Sequence, residues 1–185
     1  MEKQRRVYSA TLLIIAVLCL LSACGVTSRY RLDLFVTAED IQKKVNVEEA
    51  QISANATLAD PYQDYKVDSG NGNVAVVTVT TRWSQRETER FRLLGFDEFW
   101  RCKLFLELTE PIEAGELDLA EHSFLQLMGR YDISAEDKIF LPSSGSCVVD
   151  SINSKSVFFT IDGRFVNRVE EPLEFSGRFK VKRSD

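Results

Sequence analysis

Ten residues from Val74 to Trp83 alternate without a break. Val74, Val76, Thr78 and Thr80 fall on one side. Ala75, Val77, Val79, Thr81 and Trp83 fall on the other. Successive side chains of a strand point to opposite faces, and β-branched residues fit a pleated surface. The stretch therefore predicts a strand. The same period of two returns at Tyr30, Leu32, Leu34 and Val36, and more weakly at Ile52, Ala54, Ala56 and Leu58. It returns again at Cys102, Leu104, Leu106 and Leu108, with Phe105 turned the other way, and at Val157, Phe159 and Ile161. Phe175, Gly177, Phe179 and Val181 line up in a last strand. A chain patterned this way is mainly β. The expected architecture is an antiparallel sandwich or a strongly curved sheet, with a core face and a wet face.

The interruptions carry the rest of the topology. Thr37 has the chemistry of a helix cap with Asp40 three residues on, and Ile41 and Val45 are four apart. This predicts one short N-terminal helix from Ala38 to about Val45. Asp60-Pro61 ends the second strand. The run from Asp68 to Asn73, Asp-Ser-Gly-Asn-Gly-Asn, predicts a hairpin turn, because glycine and asparagine tolerate positive φ. Residues 118–129 fit two patterns. Ala120, Phe124, Leu127 and Met128 make a helical face behind an Asp118 cap, yet Ser123 to Arg130 also reads as strand, and the neighbouring strands favour the latter. Pro142 to Ser146 reads as a loop that delivers Cys147, and Glu170-Glu171-Pro172 separates the last two strands.

The N-terminus has a different grammar. Lys3, Arg5 and Arg6 precede an apolar run from Leu12 to Leu21, which ends in Leu21-Ser22-Ala23-Cys24. That run is about half of the roughly 20 apolar residues needed to span a bilayer. The order of basic, apolar and small residues is that of a secretory signal. Here the chain resembles bacterial lipoproteins, whose lipobox matches these last four residues. The resemblance covers 1–24 only. It implies that residues 1–23 are a signal peptide, that Cys24 is the lipid attachment site, and that 24–29 form a short tether to a single domain over 30–185. Gly25 stands where many enteric inner-membrane lipoproteins carry Asp, so the resemblance implies a cell envelope protein of the outer membrane, facing the periplasm. Two or more acyl chains hold such a protein stably, at about 0.8 kcal/mol per buried methylene.

Charge narrows the partners. The 23 Lys and Arg against 28 Asp and Glu give a formal net charge of −5. Residues 1–23 carry three basic side chains and one acidic one, so the remainder stands at −7. An acidic balance argues against nucleic acid. It also argues against a polybasic hold on anionic lipid, leaving the acyl chains on Cys24 as the membrane contact. Cys102 and Cys147 are the two cysteines beyond the lipobox. An even pair in an exported chain predicts a disulfide, worth on the order of 3 to 4 kcal/mol for a loop of this length.

Catalytic chemistry is sparse in the pattern. His122 is the single histidine, and the serines occur outside any G-x-S-x-G. Neither a Walker loop nor G-x-G-x-x-G is present. Glu107, Glu110, Glu113, Glu116 and Asp118 form the densest carboxylate set and read as a solvated acidic face. The expectation is a protein that is not an enzyme and holds no cofactor and no metal. Phe91, Phe96, Phe99 and Trp100 make the densest aromatic stretch. It reads first as a corner of the core and alternatively as an exposed patch for a partner or ligand. The function expected is a non-enzymatic, protein-binding or structural module with an envelope protein partner. A lipid-binding or lipid-transfer protein is the alternative. A peptidoglycan- or carbohydrate-binding protein, stacking sugar on Trp83, Trp100 or Tyr62, is a more distant one.

Overall fold

A computed structural model describes residues 32–38, 41–63, 66–82, 99–128 and 134–183. Cys24, Trp83, Phe91 and Phe96 lie outside them. The described residues contain nine strands: β1 (Leu34–Ala38), β2 (Ile41–Leu58), β3 (Val67–Arg82), β4 (Phe99–Leu108), β5 (Gly115–Leu117), β6 (Ser123–Met128), β7 (Ile139–Asn153), β8 (Ser156–Val166) and β9 (Pro172–Arg183). One turn of helix, α1 (Leu119–His122), stands between β5 and β6.

The chain is mainly β, as its alternation predicts, but the sheet closes on itself. Each long strand pairs antiparallel with the next, in the order β1-β2-β3-β4-β6-β7-β8-β9. β9 then returns to β1, with Leu34 opposite Gly177 and Ala38 opposite Leu173. The result is an eight-stranded up-and-down barrel, with β5 added along β7. A barrel removes the free edges that a sandwich would leave. Alternation reports which side chains share a face. It does not report whether the last strand meets the first, so the sandwich expectation gives way here.

The inward face is one continuous cluster of buried apolar residues drawn from β1 to β4, α1 and β6 to β9. Phe140, Phe159, Phe165, Phe175 and Phe179 are among its largest fully buried side chains. Phe159 and Phe179 face each other in register and stack at 5.0 Å. Phe165 meets Phe175 edge-on at 6.5 Å. Burying one such ring stabilises the fold by about 1.5 to 3 kcal/mol. Gly177 lets β1 join this wall. Its φ is +125°, and a Cβ there would stand 2.0 Å from the Asp33 carbonyl oxygen, which accepts a hydrogen bond from Arg178 N. Only glycine fits that approach.

Three local expectations are corrected. The N-terminal helix over Ala38 to Val45 is absent; Ala38 ends β1, and Ile41 to Val45 open β2 in register with Leu34 to Ala38. A spacing of four is two periods of a strand as well as one turn of a helix. Leu34, Val36, Ala38 and Val45 are all buried, so the strand period prevails. The Asp68 to Asn73 run is not a hairpin turn. β3 passes through it with a bulge, since Ser69 and Gly72 both oppose Ala56. The hairpin turns instead at Asp60, whose carboxylate accepts from Tyr62 N and whose carbonyl accepts from Gln63 N. Pro142 to Ser146 is not a loop but part of β7, paired with β8. Pro142 lies just beyond the last β6 pair, where β7 has no partner strand on one side and its missing N–H costs no ladder bond.

In the ambiguous stretch the strand reading prevails: Phe124, Leu127 and Met128 lie in β6, and the expected helical face is reduced to the single turn α1. Asp118 caps α1 by accepting from Ala120 N at 2.9 Å, and Ser123 begins a strand.

Candidate functional site

Two of the surface clefts are lined by described residues. The first lies where β4 ends and the chain returns along β7. β5, α1 and β6 together act as one broken strand beside β7, because Leu117 opposes Cys147 and Leu125 opposes Phe140. The break leaves a cleft of about 500 Å³ lined by Gly72, Glu107, Thr109, Glu116, Asp118 and His122 together with Leu108 and Leu117. Gly72 belongs to the β3 bulge, and a Cβ there would press on the Leu108 and Ala56 carbonyl oxygens at 3.1 and 3.2 Å. Glu107 accepts from the Thr57 hydroxyl. Asn73 is buried and donates to the Thr109 carbonyl at 3.2 Å and to the Glu110 carboxylate.

This arrangement presents carboxylates and an imidazole to solvent. The His122 side chain is 43% exposed and lies 3.9 Å from the Glu121 carboxylate. The nearest hydroxyl in sequence, Ser123 Oγ, is buried and donates to the Leu119 carbonyl at 2.7 Å. Among the described residues, no group of three or more His, Cys, Asp or Glu is placed to hold a metal ion. The cleft's chemistry suits a polar or cationic contact.

The second cleft, of about 540 Å³, lies in the wall beside the start of β1. β2 and β9 flank β1 and run parallel to each other beyond it, meeting only at Gln51–Lys182 and Ile52–Arg183. Between Leu34 and that junction they close from the width of β1 to direct pairing. Leu32, Val47, Glu49, Lys180, Lys182 and Arg183 border the opening. Leu32 and Val47 are 43% and 41% exposed, unusual for aliphatic side chains in this fold.

The two cysteines are placed apart. Cys102 opposes Leu127, and Leu127 N bonds the Lys138 carbonyl, whereas Cys147 lies nine residues further along that same line in β7. Nine extended residues span about 30 Å, far beyond the roughly 7 Å a disulfide allows between Cα atoms. Both are free, buried thiols, which corrects the expected bond. Burial pushes both thiols up. Cys147 is raised to about 12, by burial first and the nearby Asp150 charge second.

Compared with protein-family models, curated proteins and solved structures, the chain matches none.

Of the residues singled out in the sequence, Phe99 and Trp100 open β4, opposite Arg82 and Thr81. Phe91, Phe96 and Cys24 lie outside the described residues. A further aromatic pair lies on the outer side of the wall. Phe105 and Phe124 oppose each other on β4 and β6 and stack at 4.4 Å, on the face of the wall away from the core. Both are buried there. The outward turn of Phe105 is readable from alternation; its pairing with Phe124 needs the strand register. Likewise, Glu107, Glu116, Asp118 and His122 are each visible in the sequence, but their common cleft depends on the break between β5 and β6.

Proposed function

We propose that this chain is a lipoprotein of the bacterial cell envelope, held by acyl chains on Cys24, whose barrel is a non-enzymatic module for binding another envelope protein. The observation that supports this reading is the aromatic inward face of the described strands. Five fully buried phenylalanines occupy the inward face, where a carrier barrel would keep room for its lipid. Recognition then belongs to the outer surface and the connections between strands. The most aromatic connection, residues 83–98, joins β3 to β4 at the end of the barrel toward which β1 runs. The tether of 24–29 keeps the domain close to the membrane, which suits a fixed neighbour more than a diffusing substrate. Phe91, Phe96, Phe99 and Trp100 supply the large, stiff side chains typical of binding hot spots.

The test is crosslinking in intact cells followed by mass spectrometry, on the natural chain and on Phe91→Ala/Phe96→Ala. One envelope protein should be captured by the natural chain, with yield falling at least about tenfold in the double variant, the loss of a hot spot pair. Phospholipid or fatty acid co-purifying in place of a protein partner would instead establish the lipid-binding alternative.

A further inference from the structure

The overall acidity of the chain conceals a local reversal along the last half of β9. Arg178, Lys180 and Lys182 are exposed and alternate with the buried Phe179 and Val181, so they stand on the outside of the barrel. Arg183 follows, also exposed. From Ser176 to Arg183 the strand carries no carboxylate. Lys182 and Arg183 have no carboxylate within ion-pair distance among the described residues. Lys180 reaches over the Phe158 ring at 5.7 Å. Across the opening, Glu48 is engaged by Arg101 at 2.7 Å, which leaves Glu49 as the remaining acid of that cleft. The exposed aliphatic side chains of Leu32 and Val47 lie in the same cleft. Cations beside exposed aliphatic groups match the two layers of a membrane surface, phosphate and then acyl chain.

Position adds the second argument, and it rests on the lipoprotein reading above. Leu32 is eight residues after Cys24. Eight extended residues reach at most about 29 Å. An acyl anchor at Cys24 therefore confines this cleft to the neighbourhood of the bilayer. We infer that the cleft between β2 and β9 seats on the headgroup phosphates of an anionic bilayer, with Lys180, Lys182 and Arg183 as the contacting cations. The acyl chains provide attachment and this surface sets which side of the barrel faces the lipid. The remaining surface, including the cleft at His122, stays free for a partner.

The experiment uses the natural, acylated protein in vesicles of phosphatidylcholine alone and of phosphatidylcholine with added phosphatidylglycerol. Lysine acetylation is mapped by mass spectrometry. On the anionic vesicles the labelling of Lys180 and Lys182 should fall about fivefold, the effect of one cation near an anionic surface, while Lys138 in the turn before β7 stays unchanged. Raised salt should erase the difference. The variant Lys180→Glu/Lys182→Glu/Arg183→Glu, confined to exposed positions, should leave anionic vesicles at least about fivefold faster than the natural protein and neutral vesicles at the same rate. Equal labelling on both lipids, in protein that enters both, overturns the headgroup site and leaves the anchored reading standing. Protein that enters neither vesicle overturns the anchored reading and this inference with it.

Discussion

The β8–β9 hairpin and the broken strand β5–α1–β6 are two solutions to the same task, lining a barrel wall. β8 and β9 pair without interruption from Ser156–Lys182 to Val166–Pro172. Their inward positions hold Phe159, Phe165, Phe175 and Phe179, all fully buried. The broken strand places three residues, one helical turn and six more residues along β7, and its first part is largely exposed. The hairpin buries its inward face along its whole length, whereas the broken strand buries Leu119, Phe124, Leu125 and Leu127 in its later part and adds the Asp118 and Ser123 hydrogen bonds at α1. The comparison teaches where this protein is free to carry polar chemistry. The exposed first part of this wall segment, β5 and the Asp118 cap, turns Glu116, Asp118 and His122 toward solvent, while Leu119, Leu125 and Leu127 still fill the core beneath.

The largest expected effect breaks the hairpin side. Phe179→Ala removes a ring stacked on Phe159 and should lower stability by about 3 to 5 kcal/mol, measured by urea unfolding. A loss below about 1 kcal/mol would mean that the hairpin does not carry the core.

The seam between the two regions is tested by pH. Cys147 opposes Leu117 of the broken strand and Ile161 of β8. Its thiol is raised from 9.0 to about 12, and that of Cys102 is raised as well. The folded protein therefore keeps these protons where the unfolded chain loses them. Stability should fall as pH rises above about 9, by about 1.4 kcal/mol per pH unit for each thiol. Thermal unfolding across that window should show the slope, and Cys102→Ala/Cys147→Ala should flatten it. A slope identical in the double variant would place both thiols in contact with water.

The smallest effect sharpens the contrast. Asp118→Ala deletes the cap of α1 and should cost about 1 kcal/mol. Hydrogen exchange should quicken at Ala120 and His122 and stay unchanged at Phe159. Equal acceleration at both places would show that the broken strand and the hairpin open as one unit.

The same contrast explains what could be read in advance. Where large apolar side chains alternate, as at Phe175, Phe179 and Val181, strand and inward face are legible from the residues alone. At residues 118–128 a capping aspartate precedes a strand pattern; the cap holds one helical turn, and the strand takes Phe124, Leu127 and Met128 from the expected helical face. At Ala38 to Val45 a spacing of four satisfies helix and strand alike, and only pairing with Leu34 to Ala38 decides. Asp68 to Asn73 has the residues of a turn, yet the adjacent β2 holds the chain extended and converts the glycines into a bulge.

The sequence by itself determined a mainly β chain, which residues of most strands share a face, and an acidic balance poor in catalytic motifs. These follow from side-chain period and composition, which are local properties. Tertiary structure alone decided that the sheet closes, that Cys102 and Cys147 stand apart, and that Lys180, Lys182 and Arg183 share a cleft with Leu32 and Val47. Each of those depends on which strands become neighbours and in what register, and residues distant along the chain settle that jointly through packing.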